Sequence, residues 1–297
     1  MDQVLTLVAH VPGSLTLAIV AEAAAILNAL GAETREADWL ADGEACDLPF
    51  TGVASSQAEA EARKQLSAEA LDMVALPIKN RRKRLLLADM DSTIVTSETL
   101  DDLAAFAGLK ETIAAITARA MNGELNFEAA IGERVGMLAG LSEDTLAAAY
   151  EDIELTPGAD VLVRTMRAHG AHAVLVSGGF KYFTSRVAAR CGFDEDHAND
   201  FIIENGKLTG DVVHPIQNKD SKLAMLRHQI KTFGLDPAET LAVGDGANDL
   251  PMIEAAGLGV AFHGKPVVAA AAPARIDHGD LSALLFFQGY RRTEFSI

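Results

Sequence analysis

Basic residues are scarce in this chain. Against 42 aspartates and glutamates stand 25 lysines and arginines, a formal charge of −17 over 297 residues. A non-specific nucleic-acid binder needs the opposite sign, because its affinity comes from neutralised phosphates. The same field disfavours anionic ligands at long range, so any phosphate site must carry its own local cations. Cysteine is nearly absent. Cys46 and Cys191 stand far apart, which leaves no disulfide framework and no metal-binding spacing. Both are expected to be buried or inert thiols in a reducing cytoplasm. Long apolar runs are missing too. The stretch 15–30 carries Glu22 and many alanines and reads as an amphipathic helix rather than a membrane span. No charged-then-apolar leader, internal repeat or low-complexity tract stands out. Hydrophobic content is ample at 49%, enough to give one large domain or two modest ones a core.

The first 78 residues alternate in a recognisable order. Residues 4–9, 33–40, 45–51 and 72–78 read as strands, and 15–30 and 56–71 as helices, with Asp42-Gly43 as a hairpin signal. The order βαββαβ predicts a ferredoxin-like α+β domain over 1–78. His10, Trp39 and Cys46 read as packing residues. Residues 79–84 (KNRRKR) form the one strong basic run. In so acidic a chain it reads as a solvated linker rather than a nucleic-acid patch.

The centre of the chain is the stretch 85–93, LLLADMDST. Four apolar residues predict a short buried strand, and it stops on two aspartates. Carboxylates at the C-terminal end of a buried parallel strand stand where open α/β sheets bind ligands. Asp89 and Asp91 sharing one crevice would repel, unless a cation lies between them or one stays protonated. An oxygen-ligated divalent ion answers the first case, and a general acid–base the second. A plain Asx-turn or helix cap is the competing reading.

Two later strands end in the same way. Residues 172–176 run into Ser177-Gly178-Gly179-Phe180, where a hydroxyl, backbone N–H groups and a following helix would make an anion site. Residues 240–243 run into Gly244-Asp245-Gly246-Ala247-Asn248-Asp249, which lacks the spacing of an EF-hand loop. Lys222, near the start of a helix, is a candidate ammonium for the same crevice. Residues 98–150 are helical in pattern, an insertion that could cover the site. Within them Phe127 and Arg134 share a helix face, seven residues apart. Periodicity alone reads Arg134 as a surface partner for Glu128 or Glu133, and Phe127 as core. Asn205-Gly206 predicts a hairpin, expected to be a small appended flap.

The motif Asp89-Met90-Asp91-Ser92-Thr93 resembles the haloacid dehalogenase-like phosphohydrolases. The resemblance implies a Rossmann-like parallel sheet over 85–297 with a helical cap insertion. It also implies phosphoryl transfer through an aspartyl phosphate, with Asp89 as nucleophile and Asp91 as acid and base. Mg2+ would be held by Asp89, Asp245 and the Asp91 carbonyl, with Asp249 behind them. Lys222, Ser177 and the Gly178 N–H would grip the phosphoryl oxygens. Five stretches narrow the likeness: DMDSTIV with Glu98, Asn126-Phe127 with Arg134-Val135, VSGGF, NGKLTGDV and VGDGAND. In order over 85–262 they resemble the phosphoserine phosphatases. That family implies O-phospho-L-serine as substrate and the last step of serine synthesis. Glu98 would meet the substrate ammonium, Arg134 its carboxylate, Phe127 would help close the cap, and Asn248 would help bind. The first 78 residues resemble ACT-type modules by element order, which implies either an amino-acid site or a homodimer contact. Two alternatives stay open: a different small phosphomonoester such as phosphohomoserine, and a non-catalytic amino-acid sensor.

Overall fold

The computed structural model describes residues 2–121, 125–217 and 219–297; the side chains of Ala120, Met121, Phe127 and Lys219 lie outside the described set. The first sheet is built from β1 (Gln3–Ala9), α1 (Leu17–Ala29), β2 (Glu33–Thr34), β3 (Asp38–Ala41), β4 (Ala45–Thr51), α2 (Ser55–Gln65) and β5 (Leu71–Pro77). Its strands pair antiparallel in the order β5-β1-β4, with β2 and β3 along the far side of β4. That is the ferredoxin-like order. The helix expected to reach residue 71 stops at Gln65, because Leu71 is needed in the strand. There Leu71 and Met73 pack with Leu5, Leu7, Leu48 and Phe50 beneath the two helices. The alternate residues Val8, Ala45 and Val74 face the other way and join the core of the second sheet. Period-two alternation therefore buries both faces.

That second face also carries polar atoms, and they explain residues 79–84. The run is solvated only in part: Lys79, Asn80, Arg82 and Arg84 are exposed, whereas Arg81 and Lys83 are held by the protein. Arg81 donates to both oxygens of Asp47 (2.5 and 2.7 Å), to Thr6 Oγ1 (2.7 Å) and to the carbonyls of Phe286 and Phe287 (3.0 and 2.9 Å). Asp47 is only 5% exposed, so a forked guanidinium is what keeps it paired. The Lys83 ammonium is held by the carbonyls of Asn80 and Ala238, and burial lowers its pKa to about 8. Arg82 and Arg84 stay outward, on Glu294 and Glu239. Asp72, fully buried, accepts the N–H groups of Asp277 (2.7 Å), His278 (3.2 Å) and Gly279 (2.6 Å). Removing one partner of a buried pair strands the other. Arg81→Ala is therefore expected to cost about 3–5 kcal/mol, read as a lower urea midpoint. A shift under about 1 kcal/mol, the scale of a surface pair, would show that the fork does not hold the first sheet to residues 286–287.

The second sheet begins with β6 (Leu85–Ala88), buried throughout. The cap helices follow: α3 (Thr99–Phe106), α4 (Lys110–Met121), α5 (Phe127–Gly136) and α6 (Asp144–Glu151). Then come α7 (Ala159–Ala168), β7 (His172–Phe180), α8 (Lys181–Cys191), β8 (Glu195–Asn199), β9 (Phe201–Glu204), β10 (Lys207–Val212), α9 (Lys219–Phe233) and β11 (Thr240–Gly244). The chain closes with α10 (Leu250–Ala255), β12 (Leu258–Phe262), α11 (Pro266–Ala271), β13 (Ala274–Ile276) and α12 (Ala283–Phe287). Six strands lie parallel in the order β13-β12-β11-β6-β7-β8. Helices cover both faces, as a fully buried parallel sheet requires. The cap leaves and rejoins the sheet through a short antiparallel pair, Thr96 N–H to Glu154 O (3.1 Å) and Thr156 N–H to Ile94 O (2.9 Å).

The hairpin β9–β10 turns at Asn205 and Gly206, both at positive φ (51° and 73°), the backbone a two-residue turn of this kind demands. One edge of this flap is anchored. Gly140 N–H reaches Leu208 O (2.8 Å), Leu208 N–H reaches Leu141 O (2.9 Å) and Glu143 N–H reaches Gly206 O (2.9 Å), so its edge clasps the cap. Cys46 and Cys191 are buried and unpaired, and burial pushes both thiols up to about 12, outside the reactive range. Among the described residues no helix is long and apolar enough to cross a membrane.

Candidate active site

Register brings the three polar strand ends together. Ala88 of β6 lies beside Leu175 of β7 and Val243 of β11, and Asp89 N–H bonds the Val243 carbonyl (3.0 Å). One or two residues further on, Asp89, Ser177 and Asp245 therefore stand along one edge of the sheet. After Asp89 the chain makes one loose turn in which Ser92 takes a left-handed φ of 54°, uncommon for a residue with a side chain. This turn sends Asp91 back over the crevice. Thr99 N–H donates to Asp91 Oδ1 (2.9 Å) and Ser177 Oγ to its Oδ2 (3.3 Å). A Cβ at position 179 would stand 2.8 Å from Asp91 Oδ2, so any other residue there would push the Asp91 carboxylate aside. The β7–β8 register shifts between Val176 and Phe180, which takes Ser177, Gly178 and Gly179 out of the regular ladder. What the sequence suggests as a loop is thus the loosened end of a strand.

Lys222, in the first turn of α9 and 2% exposed, reaches Asp89 Oδ1 and Asp249 Oδ1 at 2.6 Å each. Burial works against its charge, but the two carboxylates outweigh burial and raise its pKa. Met90 N–H also donates to Asp89 Oδ1 (2.8 Å), and among the described residues no donor meets Oδ2. Gly246 N–H holds Asp249 Oδ2 (3.1 Å). Burial, then Asp89, raises the pKa of Asp91 to about 6. The same two causes raise Asp245, while Lys265 at 3.3 Å pulls it down. Asp89, Asp245 and Asp249 each offer one oxygen within 4.8 Å of the others. Such an all-carboxylate, buried donor set suits a hard divalent cation, and the excess of negative charge asks for one.

The residues expected at the substrate's amino-acid end lie on the cap side. Glu98 sits at the N-terminus of α3, where Ser92 Oγ donates to its Oε1 (2.9 Å). Burial, then Asp91, pushes its carboxyl up to about 8. Arg134 of α5 is 9% exposed rather than a surface partner of Glu128 or Glu133. Glu98 and Asp91 are near enough to act on its charge. Asn248 is half-buried in the loop that carries Asp245. Phe127 opens α5, and its side chain is outside the described residues.

Several residues at the site went unnoticed in the sequence. Asn199, 2% exposed, donates to Gly178 O (2.8 Å) and accepts from Gln217 N–H (2.6 Å), bracing the Ser177 loop from β8. Lys265 follows β12. Thr117 and Asp101 back Arg134 from two other helices. For none of these four does the sequence alone give a signal, since the notable features of Asn199, its burial and its place at the end of β8, appear only in the fold.

The profile of the haloacid dehalogenase-like hydrolases matches residues 86–254, more than half of the chain. A phosphoserine phosphatase of Archaeoglobus fulgidus is 43% identical over 231 residues, 76% of this chain and 67% of the relative. Over the first four such relatives, the alignments span 52 to 67% of their length. Among solved structures, a probable phosphoserine phosphatase from Vibrio cholerae superposes with a TM-score of 0.77 at 31% identity, covering 99% of this chain and 88% of that one. A phospho-aspartyl intermediate analogue of a phosphoserine phosphatase gives a TM-score of 0.65 at 38% identity, covering 69% of this chain and 98% of that one. The chain belongs to the haloacid dehalogenase-like hydrolases and groups there with the phosphoserine phosphatases.

Proposed function

We propose that the chain hydrolyses O-phospho-L-serine to L-serine and phosphate, as a phosphoric monoester hydrolase working through an aspartyl phosphate. The observation that carries this reading is Lys222 bridging Asp89 and Asp249 at 2.6 Å, with Asp91 fixed over the same crevice. Asp89 attacks phosphorus with its carboxylate, forming an O–P bond as the bond to the serine oxygen breaks. Lys222, Ser177 and the Gly178 N–H hold the phosphoryl oxygens. Asp91 gives its proton to the departing serine oxygen. It then takes one from the water that attacks the aspartyl phosphate, releasing phosphate and restoring Asp89. A carboxyl raised to about 6 suits both duties near neutral pH.

The cation we assign is Mg2+. Asp249 is already committed to Lys222 and Gly246, so it braces the site, leaving Asp89, Asp245 and the Asp91 carbonyl as ligands. When bound, the ion supplies positive charge that offsets repulsion between Asp89 and the phosphoryl oxygens. At the far end, Arg134 forks onto the substrate carboxylate. Glu98 takes its ammonium, whose charge replaces what a buried carboxylate lacks. Phe127 helps close the cap and Asn248 binds. The same reading divides the chain into an N-terminal domain of 1–78, a basic connection at 79–84 and a phosphatase domain of 85–297 with its cap at 98–150. It puts the enzyme in the cytoplasm, with dimerisation through the first domain.

The test is phosphate release from phosphoserine, phosphothreonine, phosphohomoserine and p-nitrophenyl phosphate, with Mg2+ and with EDTA. Phosphoserine is expected to be preferred, and EDTA to stop the reaction. Turnover of p-nitrophenyl phosphate without phosphoserine would keep the chemistry and overturn the substrate. Equal or better turnover of phosphohomoserine would do the same.

A further inference from the structure

Arg134 does not stand alone in the cap. Its Nε donates to Ala130 O one turn back (3.2 Å), and its Nη1 donates to Thr117 Oγ1 (3.0 Å). Among the described residues, Nη2 has no protein partner. The Thr117 hydroxyl lies 3.0 Å from Asp101 Oδ1 and 3.1 Å from Ile113 O. A hydroxyl has one proton, and an ionised carboxylate is the stronger acceptor for it. The chain Asp101–Thr117–Arg134 thus runs from α3 through α4 to α5, a negative charge, a polarised hydroxyl and a positive charge in line. Thr117 is 5% exposed and Asp101 9%. Burial raises the Asp101 carboxyl, while Thr117 and Arg134 pull it back down.

A buried guanidinium on a flexible stem would otherwise choose among many rotamers, and each would aim its fork differently. Here two of its three nitrogens are tied on one side. The second N–H of Nη1 and both of Nη2 are left for a ligand, on the residue whose charge Glu98 and Asp91 feel. We infer that Thr117, backed by Asp101, is a positioning residue that pre-sets Arg134 to receive the carboxylate of the substrate. The inference rests on Arg134 being the carboxylate clamp. It adds that recognition of the amino-acid head is set by three cap helices docking together, not by one arginine.

The experiment is a steady-state comparison of Thr117→Val, Thr117→Ser and Arg134→Ala on phosphoserine and on p-nitrophenyl phosphate, with melting curves for each. Loss of a hydrogen bond to a charged group changes binding by roughly tenfold or more. Thr117→Val is therefore expected to raise KM for phosphoserine about tenfold while kcat changes little. Its phosphoserine to p-nitrophenyl phosphate ratio of kcat/KM should fall in step. Thr117→Ser, which keeps the hydroxyl, should restore the ratio. Equal losses on both substrates, or no loss on either, would overturn the inference and leave Thr117 a packing residue. If Arg134→Ala does not separate the two substrates, the clamp reading itself fails, and the inference with it. Should Thr117→Val melt too low to assay, Asp101→Asn carries the test, with the same substrate-selective rise in KM expected and its absence counting against the inference.

Discussion

Asp89→Asn is expected to reduce phosphoserine turnover by at least about 10⁴-fold, because an amide cannot replace a carboxylate nucleophile. The fold should survive. Asparagine nearly matches aspartate in shape, and Lys222 retains Asp249 at 2.6 Å. The charge balance goes further. Asp89 is a cause of the raised carboxyls at Asp91, Asp245 and Asp249, so removing its charge relieves three buried neighbours. In EDTA the variant is expected to melt at the same temperature as the parent or higher, an inactive protein that is no less stable. Intact-mass analysis after rapid quench should find a phosphoryl adduct on the parent and none on the variant. Residual turnover above about 1%, far over what loss of a nucleophile leaves, would remove Asp89 from that role.

The second large effect is expected at Arg134. Replacing it with alanine removes a forked, charge-assisted contact, and two such hydrogen bonds are together worth on the order of 100-fold in binding. KM for phosphoserine should rise by that order, whereas p-nitrophenyl phosphate, which has no carboxylate, should be affected far less. The comparison also distinguishes recognition from damage to the cap. Ala130 and Thr117 lose a donor, and Asp101 loses a positive charge that favours its ionised form, so some loss of stability is expected. General loosening would weaken both substrates alike. Equal losses would therefore assign Arg134 to holding the cap together rather than to reading the substrate.

The electrostatics of the chain fit these expectations. On the proposed function, a protein with a net charge of −17 has to concentrate cations where the phosphate ester binds. Lys222, Lys265 and Arg134 are three of its 25 basic residues. Each is set against carboxylates of the site or the cap, and Lys222 and Arg134 are almost fully buried. Short-range fields in a low-dielectric crevice outweigh the long-range repulsion, which salt screens within about 10 Å.

Much of this molecule was legible in one dimension. Four apolar residues before Asp89, the Ser177-Gly178-Gly179 stretch and the loop at 244–249 marked three buried strands ending in polar groups. Asn205-Gly206 marked the hairpin. These signals are local: strand length, alternation and turn chemistry depend on residues a few positions apart. Local patterns also misled. Helical spacing read Arg134 as a surface residue, since periodicity reports which residues share a face and not what covers it. The basic run 79–84 looked solvated, because its composition gives no sign that Asp47 and Thr6 wait on a buried face. The docking of the hairpin on the cap left no trace, because its bonds to residues 140–143 are made by backbone, which carries no side-chain signature. Local pattern was enough for most of the elements, for the strand that ends at Asp89 and for the chemistry that the motifs imply. Packing in three dimensions was needed to set β11 and β7 beside β6, to tie the first sheet to α12 through Arg81, and to stand Thr117 and Asp101 behind Arg134. Those partners lie from 16 to 206 residues apart, and contacts at such distances are set by how whole elements bury their faces against one another.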